Sequence, residues 1–248
     1  MGGPGVVHIV GAGPGDPGLV TLRALELVRR ADAIVYDRLA PRSLLAEARP
    51  GARLIYAGKA PGRHALTQEE INGLLASLAL EGLEVVRLHG GDPLTYGRGE
   101  EECLHLASRG IPCDVTPGVP SFTAAAAAAM APLAARGYSS SFAVTTAIRA
   151  GGAPVEEARL EALARAADSL AVLMGARSLP RIAGVLSRLD PGTPLVVVER
   201  LGLEGERIID STAGEARGIE AEPPAVIIAG GAASFRRRWL CLTAGLYC

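Results

Sequence analysis

The chain has 248 residues, 49% of them hydrophobic, and 25 Lys+Arg balance 26 Asp+Glu. That length can hold one large or two smaller domains with a real core. The near-neutral balance excludes a global basic field for nucleic acid, an acidic tail and a disordered chain. No basic region followed by an apolar stretch opens the chain, and no run of about 20 apolar residues occurs in it. A cytoplasmic protein is therefore expected.

Strand and helix signals alternate from the start. "VVHIV" is an apolar run before a glycine turn, and "LVTLRALELVRRA" has helical spacing. "AIVYD" and "RLIYAG" read as the next strands, with "PRSLLAEA" between them. "TQEEINGLLASLALEG" reads as a helix with Thr67 as N-cap and Glu70 completing a capping box. "EVVRLHG" is a fourth strand running into "GGDP", and "GEEECLHLASRG" a helix closed by Gly110. "IPCDVTPGVPS" then returns to extended chain. This βαβα order predicts a mostly parallel, doubly wound sheet.

The texture changes after Pro117. An alanine-rich helix comes first, stopped before Pro132. "SFAVTTA" and "SLAVLMG" read as strands separated by the helix "VEEARLEALARAA". "PLVVVERLGLEGERIIDSTAGEA" reads as a hairpin and "PPAVIIAGG" as a last strand. The expectation is two α/β domains, 1–117 and 118–248, the second with a mixed sheet. The tail "FRRRWLCLTAGLYC" is either a final helix packed through Trp239 or a disordered end. Cys103, Cys113, Cys241 and Cys248 form no C-x-x-C pair, so no metal site is expected and free thiols in a reducing compartment are.

Ligands of open parallel sheets sit beyond the carboxyl ends of the strands. Gly11–Pro17, Asp37, Lys59 and Gly90–Pro93 all fall there, at the ends of four successive predicted strands. The opening loop, "GAGPGD", imitates the dinucleotide fingerprint but puts Asp16 where the third glycine belongs. A carboxylate there repels a pyrophosphate, and Pro14 and Pro17 each lack an N–H donor. Asp37, 24 residues after Gly13, stands roughly where a ribose-binding acid would, so an NAD-binding oxidoreductase stays open at this point. Lys59 is the only lysine; every other residue of the Lys+Arg count is arginine. A site that needs an amine able to lose its proton cannot use arginine.

Five stretches, "VGAGPGDPGLVTLRALELVRRADAIVYDRL", "GKAPGRH", "TQEEIN", "VVRLHGGDPLTYGRGEEE" and "GIPCDVTPGVPS", together resemble the tetrapyrrole (corrin/porphyrin) methylase family. Within it they are most similar to the members that methylate uroporphyrinogen III. The likeness runs in order through 1–136; "AVLMG", "VVVERLG" and "PPAVIIAG" extend it more weakly.

The resemblance implies two α/β domains with an active-site cleft between them, a homodimer, and S-adenosylmethionine bound folded in the cleft. It implies C-methylation of a tetrapyrrole, with no nucleic acid or membrane as partner. By position it assigns cofactor contacts to Pro14, Gly90, Gly91, Asp92, Thr95, Pro120, Ser121, Met174, Leu201 and Ala225. It makes Asp37 and Lys59 the proton-handling pair, and Arg98 and Glu101 the group that holds substrate and assists proton removal. The carboxylate arms of such a substrate call for arginine clamps, expected from Arg38, Arg63 and Arg136, with His64 beside them. Departures from the family pattern are His89 for a usual lysine, Glu100 for a glycine, Leu201 for a small residue, "APLAARG" and "TTA" at 145–147. They leave open another precorrin methyltransferase, a diphthine synthase or a non-catalytic tetrapyrrole carrier.

Overall fold

The computed structural model of the chain describes residues 3–58 and 66–245. They fall into two units, divided at Pro120/Ser121.

In the first unit, β1 (Val6–Gly11), β2 (Ala33–Tyr36), β3 (Arg53–Tyr56), β4 (Glu84–His89) and β5 (Cys113–Thr116) form one sheet. Its order is β3-β2-β4-β1-β5, with every pair parallel. Helices α1 (Leu22–Arg30) and α2 (Arg42–Leu45) cover one face, where Val10, Ile34, Val86 and Leu88 are buried. Helices α3 (Gln68–Leu80) and α4 (Gly99–Ala107) cover the other, over Val7, Ile9, Val35 and Val85. Burial on both faces explains why β1 and β4 read as near-continuous buried runs rather than alternating ones, with Arg87 and His89 the polar side chains in the buried stretch of β4. Thr21 caps α1, and the Thr67–Glu70 box caps α3 with both reciprocal bonds present. The chain leaves β1 toward β2 but leaves β4 toward β5, in opposite directions. The neighbouring ends of β1 and β4 are therefore the switch point of the sheet.

In the second unit, the strands are β6 (Phe142–Thr146), β7 (Ser169–Leu173), β8 (Pro194–Glu199), β9 (Arg207–Thr212) and β10 (Ala225–Gly230). They run in the order β6-β7-β10-β8-β9, and only β6 and β7 are parallel. Helices α6 (Glu157–Ala166) and α7 (Leu179–Leu189) pack on one face; α5 (Ser121–Ala128) and α8 (Gly231–Thr243) pack on the other through alanines. The expected β8–β9 hairpin forms. Helix α7 has no counterpart among the sequence expectations, because Pro180 and Gly184 break up its helical signal. Pro180 sits in the first turn, where its missing N–H costs nothing.

The free-thiol expectation is corrected. Cys103 on α4 and Cys113 on β5 form a disulfide with Cα atoms 5.7 Å apart, and Cys241 is also disulfide-bonded. Turning from α4 into β5 brings two cysteines ten residues apart side by side, a proximity that spacing alone does not reveal. Within the tail the final helix α8 runs to Thr243, with Trp239 half-buried on it, and Arg236 anchors it. Arg236 is 8% exposed, grips Asp210 through Nε and Nη2 (2.6 and 2.8 Å), and donates Nη1 to the Ala129 carbonyl at 2.6 Å. No helix among the described residues is long and apolar enough to cross a membrane.

Candidate functional site

The switch point of the first unit is stitched through its backbone. Gly13 N donates to Gly91 O at 3.2 Å, and Gly91 N donates back to Gly13 O at 2.6 Å. Both glycines lie in the left-handed region, at φ 73° and 71°. A Cβ on Gly118 would fall 2.2 Å from Gly91 O, so the segment after β5 approaches this crossing as closely as only glycine permits. Asp92 then locks the arrangement. Its Oδ1 accepts from Leu94 N (3.0 Å) and Thr95 Oγ1 (3.1 Å), and its Oδ2 accepts from Gly118 N (3.2 Å). Gly90, Gly91, Asp92 and Thr95 are therefore brought together, with the 117–120 segment tied to them; Pro120 ends the first unit and Ser121 opens α5.

The same geometry removes the dinucleotide reading. Gly13 N is committed to Gly91, and Gly18 N donates to Asp16 Oδ1 at 2.8 Å, so Asp16 serves as the N-cap of a short 3-10 turn. Pro14 and Pro17 have no N–H to offer. With the Ala12, Gly13 and Gly18 amides committed inside the protein, the loop does not reproduce the fingerprint's amide cradle, and Pro14 becomes part of a rigid, half-buried rim.

The loop after the GGD turn is folded tightly. Tyr96 and Arg98 take left-handed backbone angles (φ 59° and 66°), and a Cβ on Gly97 would meet Pro93 O at 2.5 Å. Left-handed non-glycine residues are uncommon and mark a constrained segment. This one presents Leu94 and Tyr96 to solvent and pairs Arg98 with Glu101 in a two-pronged contact of 2.9 and 2.6 Å. That hydrogen bond raises Arg98 further above the usual arginine range and lowers Glu101. Arg98 is thus better suited to gripping an anion than to accepting a proton.

Asp37 stands just past β2, half-buried. Its Oδ1 accepts from Leu39 N at 2.9 Å, and its Oδ2 lies 3.8 Å from Arg87 Nη2. Beneath it runs a polar cluster that the sequence reading did not find. Glu102 is fully buried and accepts from Arg87 Nε (3.0 Å), His89 Nε2 (2.8 Å) and Gln68 Nε2 (3.1 Å). Burial pushes its carboxyl up, but the His89 hydrogen bond and the charges of His89 and Arg87 outweigh that and hold it below the ordinary value. The available signal was "RLH" inside a central apolar strand: two basic side chains on one buried face require a partner. Arg38 is exposed. Lys59, Arg63 and His64 lie outside the described residues.

In the second unit, strand direction gathers the assigned residues. β10 runs antiparallel to β7 and β8, pairing Val226 with Leu173 and Ala225 with Glu199. Its first residue therefore meets the last residues of its neighbours, which places Ala225, Met174 and Leu201 on one edge. Met174 is half exposed at φ 55°, and Arg200 beside Leu201 has φ 52°. Two consecutive strand ends thus use left-handed non-glycine residues. Arg136 does not join them. It is exposed on a turn closed by Ala135 and Ser139, and Ser139 Oγ bonds Ser169 Oγ (3.0 Å) at the start of β7, the opposite edge.

A model of the Tetrapyrrole (Corrin/Porphyrin) Methylases matches residues 6–217. The uroporphyrinogen-III C-methyltransferase of Priestia megaterium is 40% identical over 237 residues, 93% of this chain and 99% of that protein. A Thermus thermophilus uroporphyrin-III C-methyl transferase, solved with S-adenosylhomocysteine, is 40% identical with TM-score 0.80, covering 93% of this chain and 99% of the other. A cobalt precorrin-4 methyltransferase also superimposes with TM-score 0.80, at 31% identity over 92% of this chain and 95% of its own. The stitched GGD turn, the parallel and mixed sheets and these matches lead to one assignment: the chain belongs to the tetrapyrrole (corrin/porphyrin) methylase family.

Proposed function

We propose that the protein transfers two methyl groups from S-adenosylmethionine to C2 and C7 of uroporphyrinogen III, giving precorrin-2 for sirohaem- or cobalamin-type tetrapyrroles. The observation that carries this is 40% identity over 93% of the chain to a uroporphyrin-III C-methyl transferase solved with S-adenosylhomocysteine. We place the enzyme in the cytoplasm as a homodimer.

The residues present fit the cofactor. Met174, Leu201 and Ala225 offer an apolar edge on strand-end backbone, suited to a flat heterocycle, and the Gly90–Asp92 turn offers a rigid backbone rim. In this reading Pro14, Thr95, Pro120 and Ser121 complete its binding site. S-adenosylmethionine supplies a methyl group on a positively charged sulfur.

The protein's own task is positioning and proton removal. The pyrrole carbon that takes the methyl already carries an acetate arm, so it has no hydrogen to lose. A C–H or N–H conjugated with the new cation must release its proton, and the freed electron pair neutralises the ring. We assign Asp37 as the acceptor, with Lys59 as its partner, and a positioned base at such a step contributes roughly 10²–10⁴-fold. Arg98, oriented by Glu101, and Arg38, Arg63 and His64 are assigned to the substrate's carboxylates; Arg136, on the opposite edge of the second sheet, is left out of that set.

A cobalt precorrin-4 methyltransferase has the same TM-score, so overall shape does not separate the two activities; identity of 40% against 31% favours the uroporphyrinogen reading. The His89 departure does not weigh against it, because that side chain is buried and bound to Glu102. Anaerobic incubation with S-adenosylmethionine and uroporphyrinogen III is expected to yield a dimethylated product by mass spectrometry. Calorimetric binding of S-adenosylhomocysteine without any methylated product would overturn the substrate and keep the family.

A further inference from the structure

We propose that Arg87 is a positioning residue for Asp37, held in place by a buried Glu102–His89 pair, so that proton removal depends on a charge relay beneath the rim. The proposal rests on the reading of Asp37 as the proton acceptor.

The relay follows from strand geometry. Val35 on β2 pairs with Arg87 on β4, and side chains alternate along each strand. Asp37, two residues past Val35, therefore emerges on the face that carries Arg87 and His89. Helix α4 lies over that face and inserts Glu102.

The guanidinium's contacts divide into anchors and a pointer. Nε is fixed by Glu102 at 3.0 Å and Nη1 by the Leu88 carbonyl at 3.1 Å. Nη2 is the nitrogen turned to Asp37 Oδ2, at 3.8 Å. The other Asp37 oxygen is already set by Leu39 N. The carboxylate is thus held between a loop amide and a buried cation that is itself immobile. His89 extends the same pair to the residue directly before Gly90, linking Asp37 to the GGD turn.

Stability alone does not account for this cluster. Arg87, His89 and Glu102 are 5%, 3% and 0% exposed, and well-packed apolar side chains commonly replace such buried ions without loss. A cluster that aims one cation at a catalytic candidate has a use that an apolar core lacks.

A double-mutant cycle tests it, using anaerobic methylation kinetics and calorimetry with S-adenosylhomocysteine. Arg87→Gln is expected to lower kcat at least tenfold, with KM for uroporphyrinogen III and the S-adenosylhomocysteine Kd within twofold of the parent. In an Asp37→Asn background the same change is expected to cost less than twofold, because the group it positions is gone. Full multiplication of the two losses overturns the proposal, as does a parallel loss of kcat and cofactor affinity. If Arg87→Gln does not fold, Glu102→Gln carries the same cycle, with the same non-additivity expected and full multiplication again decisive. An Asp37→Asn enzyme with parental kcat overturns the proton-acceptor reading itself, an outcome distinct from additivity.

Discussion

The two sheets handle charge in opposite ways beneath the edges that carry the proposed site residues. The first unit buries Arg87, His89 and Glu102 within its core, under the rim that carries Asp37 and the GGD turn. The second keeps its central strands apolar and places its acid at a strand end. Glu199, 2% exposed, is gripped by the more exposed Arg207 at 2.7 and 3.0 Å and by Glu222 N at 3.0 Å. Burial pushes the Glu199 carboxyl up, and the Arg207 hydrogen bond, the Glu222 amide and the charges of Arg207 and Arg200 together more than reverse it. This pair fixes the β8–β9 hairpin next to Leu201. Under the proposed function the contrast becomes a division of labour: the first unit supplies ionisable groups for chemistry, and the second supplies a shaped apolar edge.

The sharpest way to break that division is to neutralise Asp37. Asp37→Asn is expected to cut methylation by about 10²-fold or more while calorimetry finds S-adenosylhomocysteine binding unchanged. An unchanged rate would deny the first unit its chemical role. The next largest effect falls on stability. Glu102→Ala leaves Arg87 and His89 buried without their anion, and about 3–5 kcal/mol is expected to be lost in urea unfolding. The pH dependence has a definite sign. The folded-state pKa of Glu102 is depressed below its ordinary 4.5. Its contribution is therefore complete above that pH and fades as pH falls through the lower folded value. The stability gap between the parent and Glu102→Gln should shrink on acidification below about 4.5; a gap that widens would mean that burial, not His89 and Arg87, dominates at that carboxyl.

Local rules made much of the fold legible. The parallel strands were visible because burial on both faces writes near-continuous apolar runs, and the α3 start was visible because Thr67 and Glu70 form a box within four residues. The insertion of β10 between β7 and β8 was not visible, since it depends on pairing among segments distant in sequence. At the site, the glycine turn stood out because "GGDP" follows a strand. Its crossing with Gly13 did not, nor did the left-handed angles at Tyr96, Arg98, Met174 and Arg200, which propensity argues against. Arg87 and Glu102 meet only because α4 folds back over β4. Arg136, though placed by resemblance, sits on the edge away from Met174.

Two smaller effects sharpen the comparison from the second unit. Met174→Ala removes apolar surface from the proposed cofactor edge, and about 1–2 kcal/mol of affinity, roughly a tenfold weaker S-adenosylhomocysteine Kd, is expected by calorimetry. Turnover at saturating cofactor should hold, since Met174 handles no proton; a fall in kcat alone would place chemistry in the second unit.

Asp168 tests the opposite edge of that unit. It lies just before β7, and its Oδ2 accepts from the amides and hydroxyls of both Ser140 and Ser141, at 2.8 to 3.1 Å. Those bonds, led by the Ser140 hydroxyl, lower its pKa to about 2 from an ordinary 3.8. A depressed folded pKa lends stability that is complete above 3.8 and disappears as pH falls toward 2. Asp168→Asn should therefore lower Tm slightly at neutral pH, and its unfolding curve should converge on the parent's across that acidic window. The carboxylate is exposed, so solvent keeps the effect small. Because Ser169 marks the edge away from Met174, neither kcat nor S-adenosylhomocysteine affinity should change. A shift in either would mean that the two edges of the second sheet are coupled, and that its role is not confined to the edge where Met174, Leu201 and Ala225 meet.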